Sequence, residues 1–153
     1  FFFKQKTAYE ISTRDWSSDV CSSDLTRRPM MHAALIKLVE ESAEGVLVLV
    51  EDLGEAEFLR SRLTRQEVRK LLASVAATMQ AMPPELRRAM PELAWDGWER
   101  LGHDLKAAPP AGDASAWFAV QSLVPATLSW LRVYRQEQPA LFDLTAAPPS
   151  TAR

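Results

Sequence analysis

The chain has 153 residues, 18 Lys and Arg against 20 Asp and Glu, and a formal net charge of −2. That balance excludes a generally basic nucleic-acid coat, while a local basic face stays open. One cysteine, Cys21, gives no basis for a disulfide framework or a zinc ribbon. No apolar run reaches the roughly 18–20 residues that cross a bilayer, because Leu47–Val50 is soon followed by Glu51 and Asp52. No secretory signal is visible, and the expected location is the cytoplasm.

In chain order, Phe1–Leu25 (FFFKQKTAYEISTRDWSSDVCSSDL) resembles the conceptual translation of a sequencing-library adapter. Two constant blocks, FFKQKTAYEI and DWSSDVCSSDL, flank a short variable Ser12–Thr13–Arg14. This leader is expected to be disordered and is set aside for fold reasoning. From Thr26 onward there are 15 Lys and Arg against 16 Asp and Glu, and no cysteine, so a cysteine nucleophile drops out.

The spacing predicts a first helix over Met31–Leu53, with Leu35, Leu38, Val39, Ser42, Val46, Leu49, Val50 and Leu53 on one face. Val46–Val50 alone could pass for a strand, but five residues without flanking turn chemistry favour the helix. Gly54 ends the element, and Glu55–Arg60 reads as a short turn of helix carrying Phe58. Thr64 and Glu67 fit a capping box that opens a second main helix. Its stripe is Val68, Leu71, Leu72, Val75, Ala76, Met79 and Met82, and Pro83–Pro84 ends it for want of backbone donors.

Pro84–Met90 reads as a short helix with proline in its first turn. A third main helix is predicted over Ala94–Lys106 with Trp95, Trp98, Leu101 and Leu105, followed by a loop over Ala107–Ala114. The last helix is predicted over Ser115–Gln136, kinked at Pro125, with Trp117, Val120, Val124, Leu128, Leu131 and Tyr134 inward. The four tryptophans after the leader read at least as well as packing anchors as they do as binding platforms. No segment alternates with period two, so the fold class is all-α: a four-helix antiparallel bundle over residues 26–142, with a disordered tail over 143–153.

Two histidines follow the leader. His32 opens the first helix and reads as an exposed terminal side chain. His103 lies in the third helix, three residues after Arg100 and beside Asp104. Residues three apart on a helix face one way, so Arg100 and His103 can act together on a phosphodiester, one holding oxygens and the other moving protons. The bland alternative is an exposed histidine near an ordinary surface arginine. There is no HExxH pair, no glycine-rich phosphate loop and no GxSxG elbow, so neither a metal nor another cofactor is expected.

The order of pieces across Ala33–Gln136 resembles the HepT family, HEPN-fold ribonuclease toxins encoded beside minimal nucleotidyltransferase antitoxins. It runs through Phe58–Thr64 (FLRSRLT), Met82–Arg87 (MPPELR), Met90–Trp95 (MPELAW), His103–Asp104, and Trp117 through Val124–Pro125. The resemblance implies a bundle that dimerises, with residues of two chains around one cleft, an antitoxin partner and metal-independent RNA cleavage. The family motif is an arginine, four to six residues, then a histidine, with a polar residue after the arginine and a tyrosine two places after the histidine. Here Trp98 and Glu99 stand where the arginine and its polar neighbour belong, Leu105 takes the tyrosine place, and Arg100 has only two intervening residues. A glutamate at that point repels phosphate. The expected site is therefore His103 and Arg100 as catalytic groups, with Asp104 and Trp98 beside the substrate. Its alternative is a catalytically degenerate module that binds only itself or a nucleotidyltransferase, and behind both stands a structural bundle unrelated to toxins.

Overall fold

A computed structural model of the chain describes residues 30–144, and every regular element among them is helical, with no strand. The expected leader, and the expected tail beyond its first two residues, lie outside the described residues.

Helix α1 spans 30–50 and buries Ile36, Val39, Ala43, Val46 and Val50, a clean run of three- and four-residue spacings. Leu38 and Leu49, expected on the inner face, point outward, and Leu53 falls beyond the helix after a turn at Glu51–Asp52. The reason is compositional. Two neighbouring stripes of α1 are both apolar, and periodicity does not choose between them; packing does.

The short α2 (Glu55–Arg60) drives Phe58 into the core, where its ring meets that of Trp117 at 5.1 Å. The Glu57 carboxylate accepts the Gly54 N–H at 3.1 Å, closing the front of this helix. Helix α3 (Arg62–Ala81) starts earlier than Thr64 predicts. Its cap is Ser61, whose hydroxyl oxygen accepts the Thr64 N–H at 3.4 Å and pairs with the Thr64 hydroxyl at 2.7 Å. Thr64 thus sits inside the helix, and no Thr64–Glu67 box forms. The α3 stripe of Val68, Leu72, Val75, Ala76, Met79 and Met82 is buried as expected, with Leu71 partly so.

Pro83 and Pro84 end α3 and open α4 (Pro84–Ala89). Arg87 of α4 folds back, donating to the Gln80 carbonyl at 3.0 Å while its guanidinium lies 5.5 Å from the Trp95 ring. An arginine on the last free carbonyls of a helix satisfies groups that the helix itself cannot. Helix α5 (Trp95–Asp104) is two residues shorter at its end than expected and packs on α3. A Cβ at Gly102 would meet Gln80 Nε2 at 2.9 Å and Ala76 Cβ at 3.4 Å, so the missing side chain lets the two helices approach. Residue 102 of α5 faces 76–80 of α3, and Leu105 just after α5 meets Arg69, so these helices run antiparallel.

The final segment is one continuous coil of helix in three pieces: α6 (Ala111–Phe118), a π turn (Ala119–Leu123) and α7 (Val124–Glu137). The expected kink at Pro125 takes the form of that π turn. Proline has no N–H for a carbonyl four residues back and its ring crowds that oxygen, and a wider turn relieves both faults. The Ser122 hydroxyl donates to the Phe118 carbonyl at 2.8 Å within it. Residues 111–114, expected as loop, are helical. Trp98 is 0% exposed and its indole N–H donates to Thr127 at 2.9 Å, tying α5 to α7. The Arg135–Glu40 ion pair ties α7 to α1.

Candidate functional site

Helix α5 carries every residue of the expected site, and its pitch sorts them. Side chains four apart stack on one face, so Glu99 and His103 fall together, and so do Arg100 and Asp104. Each pair borders its own cleft. Glu99 and His103 line a cleft of about 420 Å³ between α5 and α3, together with Ala73, Ala77, Gln80 and Lys106. Arg100 and Asp104 line a second cleft, of about 360 Å³, between α5 and the α6–π turn corner, together with Gly97, Ser115, Phe118 and Leu123.

The His103 side chain is 90% exposed, with Nδ1 4.0 Å from Asp104 Oδ1, too far for a hydrogen bond. The imidazole is open to solvent at the rim of the α3–α5 cleft. Arg100 is exposed and has no ion-pair partner among the described residues. Within one chain, then, the expected arginine–histidine pair does not share a cavity. The cation that shares His103's cleft is Lys106, and the carboxylate there is Glu99. Trp98 is a correction to the expected set. It is sealed in the core against Thr127, so it cannot present a face to a ligand. Asp104 stays near the surface, lining Arg100's cleft while its carboxylate lies 4.0 Å from the His103 ring.

A second polar constellation was missed in the sequence. Asp113, on the first turn of α6, is 3% exposed and accepts from Arg65 and Arg69 of α3, both at 2.7 Å. Arg69 also donates to the Leu105 carbonyl at 2.6 Å and the Ala107 carbonyl at 3.3 Å. Gly112 makes room for it, since a Cβ there would lie 2.7 Å from the Ala107 oxygen and 3.0 Å from the guanidinium. An acidic residue in the first turn also suits the helix dipole. This lock converts 111–114 from loop to helix. The arginines at spacing four were visible in the sequence; their carboxylate partner, 44 to 48 residues away, was not.

Among the described residues, no three His, Cys, Asp or Glu side chains gather as a metal site, and no helix is long and apolar enough to cross a membrane. The fold and site define an all-α protein with an exposed histidine over an interhelical cleft. Set against known protein families, curated proteins and solved structures, the chain matches none.

Proposed function

We propose that this chain is a HepT-like toxin-side component of a toxin–antitoxin pair, a four-helix HEPN-type bundle acting as a metal-independent RNA endonuclease. The observation that carries the reading is the solvent-open imidazole of His103 on the rim of the α3–α5 cleft. In that role His103 takes the proton of a ribose 2′-hydroxyl, or returns one to the leaving oxygen. A cation balances the charge that develops on the phosphorus oxygens. Arg100 is that cation, reaching the phosphate from a second copy, because its own α5 turns it toward the other cleft. A homodimer, an RNA substrate and a minimal nucleotidyltransferase antitoxin belong to this proposal, as does a cytoplasmic location.

The test is RNA cleavage in chelator. His103→Ala is expected to lower the rate by on the order of 10²–10⁴, the usual worth of a general acid–base group. Cleavage that persists unchanged in this variant removes His103 from the mechanism.

A second reading is favoured by one observation: Glu99 shares the cleft of His103 while Arg100 does not. A carboxylate at that place repels a phosphodiester. On this reading the bundle is a catalytically degenerate module that docks on itself or on a nucleotidyltransferase. Glu99→Gln separates the two: the enzyme gains activity from it, the docking module gains none.

A further inference from the structure

We propose that the cleft between the first half of α3 and the start of α6 binds a phosphate group. Its lining is Arg62, Arg65, Gln66, Arg69, Pro109 and Asp113, around a space of about 260 Å³. Arg62, Arg65 and Arg69 recur at spacings of three and four, so their side chains leave one face of α3. Three guanidinium groups there meet one carboxylate.

That carboxylate is already engaged. Asp113 takes one N–H from Arg65 and one from Arg69, and Arg69 gives a further N–H to the Leu105 and Ala107 carbonyls. Arg69 therefore belongs to the lock that holds α6. Arg65 gives Asp113 only its Nη1, and Arg62 is exposed with no ion-pair partner among the described residues. The cleft is left with two surplus positive charges, one from a guanidinium whose position Asp113 already fixes. Gln66 adds an amide beside them. The first turn of the 20-residue α3 contributes the positive end of its dipole at Arg62.

A planar fork held in place, a second fork free to close and an amide donor match the oxygens of a phosphate better than a diffuse anion. A carboxylate ligand would use one fork and leave the other charge unmatched. The group can come from a nucleic-acid strand or from free phosphate, and the two sources are separable. The cleft is distinct from that of His103, so the proposal stands or falls apart from the ribonuclease reading.

The experiment titrates the full chain with two probes: a fluorescein-labelled oligouridylate followed by anisotropy, and inorganic phosphate followed by ¹⁵N NMR of arginine side-chain Nε–H groups. Arg62→Glu and Gln66→Glu are the variants, both exposed and outside the Asp113 lock, and circular dichroism checks that each remains folded. Each is expected to weaken binding about tenfold, and Arg62→Glu to lower the slope of log K against log salt by about 1. Oligouridylate binding weakened by the variants, with phosphate competing, assigns the site to a nucleic-acid strand. Phosphate binding weakened by the variants without any for the oligomer assigns it to the free anion. Either supports the proposal. Failure of both probes to bind the parent, or equal binding by parent and variants, overturns it.

Discussion

Asp113 sits on the first turn of α6 with each carboxylate oxygen bound to a different arginine of α3. Removing one partner of such an arrangement leaves the others desolvated and unmatched. Asp113→Ala should cost about 2–4 kcal/mol in urea unfolding, toward the lower end because the arginines keep some water. Glu40 is the other informative single residue. Burial raises its carboxyl above its ordinary value, against the opposing pull of Arg135, which both attracts it and donates a hydrogen bond. The folded chain then holds a proton at Glu40 at pH values where the unfolded chain has released it. This group's contribution to stability is thus fully present below the unfolded value and declines as pH rises through the folded one. Denaturation of Glu40→Gln across the acidic range should show less of that decline than the parent, and an unchanged profile would contradict it.

Among elements, the front of α3 offers the sharpest contrast between pattern and structure. The Thr64–Glu67 spacing fits a capping box, yet the helix begins at Arg62 with Ser61 as its cap. The competing signals lie three residues apart, and the short α2 decides between them by setting where the chain turns after burying Phe58. Ser61→Ala should therefore cost about 1 kcal/mol by thermal or urea unfolding, and Thr64→Ala distinctly less. Equal costs would restore the box. The π turn before Pro125 is an element-scale device of a different kind. It shifts the register of the continuous helix so that Ala116 before it, Ala119 and Val120 within it, and Val124, Leu128 and Leu131 after it, all stay buried. A straight α-helix through a proline would lose a hydrogen bond and break that stripe.

At the scale of the whole molecule, α5 divides its polar residues between two clefts. On the proposed ribonuclease reading, Arg100 of one copy and His103 of another meet in a closed pair. If that reading holds, Arg100→Ala and His103→Ala should each cleave RNA far more slowly than the parent when alone. Mixed after unfolding and refolding together, they should regain activity, because a mixed pair rebuilds one intact site. No recovery on mixing would place both residues' roles, if any, within a single chain. Among the described residues, the outer surface carries exposed apolar side chains, among them Met31, Leu38, Val48 and Leu49 of α1 and Trp130 of α7.

The helical class, the stop at Pro83–Pro84, the buried stripe of α3 and that of the last helix were all legible in the amino-acid sequence. Each depends on spacing within a few residues and on the missing N–H of proline, which are local properties. Which stripe of α1 turns inward was decided only by tertiary packing, since both are apolar. The helical start at Ala111 rests on the ion pair of Asp113 with Arg65 and Arg69, and the sealing of Trp98 on a hydrogen bond to Thr127. The separation of Arg100 from His103 has the same origin. Spacing places them on one side of α5, but the neighbours on either flank, α3 and the α6–π turn corner, decide which cleft each one borders.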